Sequence, residues 1–105
     1  MIDITHKYNT LRIATAQAVV KTSAAETVTA IKNKTVPKGD VLEFATAAGL
    51  LGIKQTANLI PDCHPMPIEY TGIDYELDGL DVIIKVTVKT IYKTGVEVEA
   101  MHAAS

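Results

Sequence analysis

The stretch "IEYTGIDYELDGLDVIIKVTVKTIY", residues 68–92, reads as two strands around one turn. In its second half Val82, Ile84, Val86 and Val88 alternate with Lys85, Thr87 and Lys89. That period of two belongs to a strand with one face turned inward. Asp78-Gly79 marks the turn, so residues 68–77 and 81–92 pair as an antiparallel hairpin. The first strand is less regular. Its apolar positions slip from Ile68 and Tyr70 to Ile73, Tyr75 and Leu77, and one extra residue near Gly72 would account for the slip. The spacing therefore predicts a bulge there.

Working back from the hairpin, residues 11–22 read as a third strand, with Arg12, Ala14, Ala16, Ala18 and Val20 on one face. The small residues on that face let a helix approach closely. Ser23 and Glu26 have the spacing of a capping box, which predicts a helix over about 24–33 with Ala24, Val28 and Ile31 on one side. A longer helix fits residues 40–57, where Val41, Phe44, Ala48 and Leu51 form one stripe and Leu42, Leu50 and Ile53 lie off it. Gly49 and Gly52 inside that helix each cost about 1 kcal/mol relative to Ala, so a close neighbour is expected, either the sheet or another subunit. A last helix begins around residues 95–100. The order β-α-α-β-β-α with an antiparallel hairpin indicates an α+β chain, a ferredoxin-like sandwich with helices packed on one face of the sheet.

Composition bounds the functions. The chain has 105 residues, which is one domain, and 48% hydrophobic residues against 21% charged residues favour a globular chain over a disordered one. No apolar stretch is long enough for a membrane span, and no signal-peptide pattern opens the chain. One cysteine excludes an internal disulfide and suits a reducing compartment, so the expected location is the cytoplasm. A net charge of −2 argues against general nucleic-acid binding. Residues 1–60 nevertheless hold seven basic and four acidic residues, and residues 61–105 hold three and eight. One part could supply cations for an anionic small molecule and the other acid–base groups; chance asymmetry of surface charge fits equally well.

Four short stretches could carry chemistry. "VPKGD" puts Lys38 and Asp40 at a helix start, where an anion could bind, although Asp40 as a plain N-cap is the better fit. "GIKQT" places Lys54 near a helix end, where the dipole alone would favour it. "PDCHP" braces Asp62, Cys63 and His64 between prolines, and His64 is a natural acid–base group near neutral pH. No C-x5-R loop follows Cys63, which fits a small buried residue better than a nucleophile. One Cys and three scattered His show no ligand spacing, so no metal site is expected. "KTGVEVEAMH" holds Glu97 and Glu99, which share a face on a strand but diverge by about 200° on a helix. Paired carboxylates can do acid–base work, and Val-Glu-Val-Glu also describes a plain edge strand; the pattern does not separate the two.

Taken together, "KGDV" at 38–41, "GIKQTANLIPDCHP" at 52–65 and "KTGVEVEAM" at 93–101, with the opening "MIDITHK…TLRIATA", resemble the MoaC family of cyclic pyranopterin monophosphate synthases in molybdenum cofactor biosynthesis. The likeness spans the chain as a single MoaC-like domain, residues 1–105. It implies a ferredoxin-like fold, a hexamer of three dimers, and active sites across dimer interfaces. It also implies a lyase that turns a cyclic dihydro-GTP derivative into a pterin with a cyclic phosphate and releases pyrophosphate. By motif, Arg12 and Lys38 would contact the triphosphate or the rearranging ring. Asp62, Cys63 and His64 would line the pocket, and Glu97, Val98 and Glu99 would complete it, with Lys38, His64 and Glu97 in catalytic roles. Asp62 stands where many members carry an apolar residue. No redox cofactor is implied, and a magnesium requirement stays open. The resemblance further implies a catalytic aspartate beyond residue 105, which makes the chain as read C-terminally incomplete. A non-catalytic nucleotide- or pterin-binding homologue and a purely structural oligomer subunit are the alternatives. Retention of Lys38, His64, Glu97 and Glu99 together disfavours the structural one.

Overall fold

The computed structural model describes residues 1–105. Strand β1 (Thr10–Lys21) is followed by helices α1 (Ala25–Asn33) and α2 (Val41–Leu59), then β2 (Tyr70–Asp78), β3 (Asp81–Tyr92) and α3 (Glu97–Ala104). The sheet order is β1-β3-β2, with β3 antiparallel to both neighbours. Strands β1 and β2 are therefore parallel with β3 inserted between them, the split β-α-β arrangement of a ferredoxin-like α+β chain.

The alternation in β3 is realised as read. Val82, Val86 and Val88 are buried, and Ala14, Ala16 and Ala18 of β1 lie beside them through the pairs Ala14↔Val88, Ala16↔Val86 and Ala18↔Ile84. The helix that uses this small-residue face is α3, whose Ala100 and Ala104 join Ile53 of α2 in the same core. Fully buried valines such as Val86 and Val88 contribute roughly 1.5–3 kcal/mol each.

The predicted bulge is absent. Every residue from Tyr70 to Asp78 has one partner, from Tyr70↔Lys89 to Asp78↔Asp81, with none left over. The slip arises because Tyr70 faces outward with Lys89, whose Nζ lies 5.0 Å from the ring centroid, while Ile73 and Leu77 pair inward with Val86 and Val82. The Tyr70 ring lies over Gly72, where a Cβ would fall 2.6 Å from the Tyr70 hydroxyl. The glycine makes room for an aromatic on its own strand. The turn places Gly79 alone at positive φ (59°) before Leu80, a type II′ pattern.

The capping box is also absent. Ala24, not Ser23, precedes α1, and no side chain caps it. Asp40 does cap α2, accepting from the amides of Leu42 (3.1 Å) and Glu43 (3.2 Å) and pairing with Lys34 at 3.3 Å. The buried face of α2 runs through Gly49, Ile53 and Thr56, so the predicted stripe is not the one that packs: Phe44 and Leu51 are exposed. Gly49 answers to the sheet, since a Cβ there would meet Ile73 Cδ1 at 2.8 Å. Gly52 has no such neighbour in this chain; the His102 ring is 3.9 Å away.

The molecule measures 53 × 22 × 20 Å with a radius of gyration of 16.0 Å. A compact chain of this length would have about 13 Å. Leu11, Ile13, Phe44, Leu51 and Leu59 remain largely exposed. No helix is long and apolar enough to cross a membrane.

Candidate functional site

Beyond the C-terminal end of α2 the chain enters the proline-braced segment, and three stretches converge there. Residues 1–7, 62–66 and 94–99 enclose an open cleft of about 630 Å³. Asp62, Cys63, His64, Glu97, Val98 and Glu99 all line it. Six of the eight residues that the motif resemblance assigns to the site thus meet in one place, although they come from two segments more than 30 residues apart.

Glu97 and Glu99 are the first and third residues of α3, so the cleft wraps the end of a helix and both carboxylates reach it. The helical reading of "VEVEAM" is the correct one. Glu97 is exposed, and its carboxylate folds back over Gly95, where any Cβ would collide with it. Glu99 is only 4% exposed. It forms a wall between the cleft and a second hollow of about 440 Å³, and His64 and Met66 belong to the same wall. Lys54 lines that second hollow. Helix α2 continues to Leu59, so Lys54 is not in its last turn, and the helix-dipole account of this lysine does not hold.

Arg12 and Lys38 do not join the cleft. Arg12 lies on the core side of β1 and donates from Nε to Thr10 Oγ1 at 2.8 Å. Lys38 is exposed at the other end of α2, separated from Asp62 by a helix roughly 28 Å long. Its neighbour Gly39 has a φ of 121° and would clash with the Phe44 ring if it carried a Cβ. The glycine in "KGD" is thus required by the entry into α2. The anion-site reading of this helix start loses force, because the Asp40 carboxylate already occupies the free amides.

A family model described as the MoaC family matches residues 1–105. The chain belongs to the MoaC family. It is similar to the cyclic pyranopterin monophosphate synthase of Clostridium perfringens (strain SM101 / Type A), 45% identical over 107 residues that cover 100% of this chain and 67% of that protein. The probable cyclic pyranopterin monophosphate synthase of Archaeoglobus fulgidus is 41% identical over 105 residues, covering 100% and 67%. The Syntrophomonas wolfei enzyme of the same name is 44% identical over 107 residues, covering 100% and 68%. The chain spans about two thirds of the length of these relatives.

The electrostatics of this MoaC-family cleft are dominated by carboxylates. Asp3, Asp62, Glu97 and Glu99 line it, against Lys7, His6 and His64. Burial pushes the Glu99 carboxyl up; its own amide N–H opposes this, the Glu97 charge adds to it, and the His102 imidazole opposes it again. The Cys63 thiol is pushed up by burial first and then by the charges of Glu99 and Asp62. That is the reverse of what a thiolate nucleophile needs. His64 Nε2 lies 2.7 Å from the Ile2 carbonyl, which can only accept, so the ring donates there and a neutral ring keeps Nδ1 as its acceptor.

The N-terminal segment is what reading by motif missed. Residues 1–7 supply one wall of the cleft, and no periodicity in "MIDITHK" announces this. The available signal was Asp3 two residues before Thr5, which forms a local turn through Thr5 N (2.9 Å) and Oγ1 (2.7 Å).

Proposed function

We propose that the chain builds the catalytic cleft of a cyclic pyranopterin monophosphate synthase in molybdenum cofactor biosynthesis. The substrate in this reading is 3′,8-cyclo-7,8-dihydro-GTP, and the products are cyclic pyranopterin monophosphate and pyrophosphate. The observation that carries the reading is the convergence of His64, Glu97 and Glu99 in one cleft of a MoaC-family chain.

The chemistry asked of the cleft is proton transfer and phosphoryl transfer. Opening and reclosing the purine-derived ring requires protons to be taken and returned at neighbouring atoms, which suits an imidazole beside a carboxyl whose pKa burial pushes up. Forming the cyclic phosphate joins a sugar hydroxyl oxygen to the α-phosphorus and breaks the α–β bridge, with pyrophosphate leaving. The substrate loses pyrophosphate and is otherwise rearranged, so electrons balance without a redox cofactor. Asp62, Cys63 and Val98 shape the wall that holds the ring system.

A triphosphate needs cations, and a single copy of this cleft offers more carboxylates than cations. In this proposal Lys38 and Arg12 reach the phosphates from a second copy, which places the site across a dimer interface. The exposed Phe44, Leu51 and Leu59 of α2, and Leu11 and Ile13 of β1, support burial against further copies, with a hexamer of three dimers as the assembly. In this reading the reaction runs in the cytoplasm, a location that a single cysteine suits. The test is to incubate the full-length protein with the cyclic dihydro-GTP derivative, with and without magnesium, and to follow pterin fluorescence and pyrophosphate together. Stoichiometric appearance of both supports the proposal; tight binding of the substrate with neither product would overturn it.

A further inference from the structure

Helix α2 carries Thr46 and Thr56, and each hydroxyl donates back to the carbonyl four residues earlier, Leu42 and Gly52, at 2.9 Å in both cases. A hydroxyl has one proton, so each Oγ1 is left as an acceptor. Each also lies 3.0 Å from a polar atom of a ring on another element, the Tyr75 hydroxyl of β2 and His102 Nδ1 of α3, which can donate to it. The second contact is buried on the Thr56 side, where Thr56 is 0% exposed, and His102 is half-buried. When the Thr56 proton goes to Gly52, the partner on the ring is an Nδ1–H of His102.

No side chain caps α3 at Val96, and the helix's own core side chains, Ala100 and Ala104, are small, so the directed bond from His102 adds an orientation that their packing fixes less sharply. Glu99 and His102 are three residues apart and share a face of the helix. Rotation by one residue, about 100°, would carry Glu99 out of the wall between the two hollows. We propose that His102 is a positioning residue whose Nδ1–H bond to Thr56 locks the rotation of α3 and so holds Glu99 between the two hollows. Its catalytic consequence rests on the synthase reading above; the lock itself does not.

The groups facing these residues define what a titration reads. Glu99 is faced by Glu97 and His102 on its own helix, by Asp62, Cys63 and His64 from the segment after α2, and by Lys54 from α2; the His102 charge opposes the rise at Glu99 and is lost equally in both variants below. His102 is faced by Tyr75 of β2, while Gly49 and Gly52 of α2 bring no charge to it. Two variants of the full-length protein separate the lock from simple packing. His102→Asn keeps an N–H donor near the Nδ1 position, and His102→Leu removes it.

The first readout is carbon-13 NMR of the Glu99 carboxyl across pH, which needs no turnover. The expected result is a raised midpoint in the parent and in His102→Asn, and a fall towards the ordinary carboxylate range in His102→Leu as Glu99 becomes solvated. The second is steady-state kinetics, where His102→Leu should lose kcat by roughly 10- to 100-fold with little change in KM, and His102→Asn should stay near the parent. A midpoint in His102→Leu equal to the parent's overturns the lock. So do two variants that lose the raised midpoint equally and melt equally early, since that is a purely structural role. A midpoint that falls while kcat holds supports the lock and refutes the assignment of Glu99 to catalysis.

Discussion

The carbonyl oxygen of Ile2 lies 2.7 Å from Nε2 of His64, a bond between residues 62 positions apart. It ties the N-terminal segment to the proline-braced loop and settles which ring nitrogen is free. The neutral imidazole should therefore be the Nε2–H tautomer, with Nδ1 open to accept a proton. Nitrogen-15 NMR of the ring checks this, and an Nδ1–H pattern would refute it. His64→Ala should lower kcat by about 10²- to 10⁴-fold while the melting temperature stays within a few degrees, because the side chain is only half-buried. Loss of the cooperative melt would instead mark His64 as a core residue.

Gly49 and Gly52 should respond differently to a methyl group. Both sit inside α2, where Ala is favoured over Gly by about 1 kcal/mol. At Gly52 the nearest atoms to a new Cβ are those of the His102 ring at 3.9 Å, an ordinary contact, so Gly52→Ala should raise the melting temperature. At Gly49 the Cβ would fall 2.8 Å from Ile73 Cδ1, and rotating that side chain costs about 0.5–1.5 kcal/mol, which offsets the gain. Thermal melts of the two variants decide it; equal shifts would mean that Ile73 moves freely. If Gly52→Ala destabilises only the assembled protein, a second copy packs there.

Cys63 should be a slow thiol. It lines the cleft, yet burial and the charges of Glu99 and Asp62 push its pKa up, so little thiolate is present at neutral pH. Alkylation by iodoacetamide, followed by intact mass, should run slower than for a free small-molecule thiol. Glu99→Gln should speed it, and Cys63→Ser should leave turnover within a few-fold. Rapid alkylation in the parent would reopen the nucleophile reading.

The legible parts of this molecule were those written in local period. The β3 alternation and the small-residue face of β1 read correctly because each face of a strand shows itself within a few residues. The site loop was legible because prolines constrain the backbone in sequence. The failures were long-range. Tyr70 faces outward because Lys89 on the next strand and Gly72 beneath its ring accommodate it, and the first strand's own pattern records neither. Ser23 and Glu26 have the right spacing for a capping box, but the helix begins after Ala24, one residue later. Lys54 was placed at a helix end because α2 was expected to stop at residue 57, whereas it runs to Leu59. The wall built by residues 1–7 depends on a contact to His64 that no short window contains.

Glu99 is where stability and function should pull apart. Its carboxyl sits 4% exposed on α3, and burial raises its pKa above that of the same group in the unfolded chain, about 4.3. A group that holds its proton more tightly when folded stabilises the fold only while protonated. As pH rises from the unfolded value through the folded one, ionising Glu99 costs the folded state more than the unfolded state, and stability declines across that window. Glu99→Gln removes this cost and keeps the shape. The variant should therefore melt at a higher temperature than the parent at pH 7–8, and the advantage should vanish below about pH 4, where both carry a neutral side chain. Its turnover should fall by about 10²- to 10⁴-fold, since an amide can neither give nor take a proton. Paired thermal melts and initial rates across pH measure both effects on the same samples. A Gln variant less stable than the parent at neutral pH would mean that the ionised carboxylate is well satisfied where it sits, and the cause assigned to its raised pKa would be wrong.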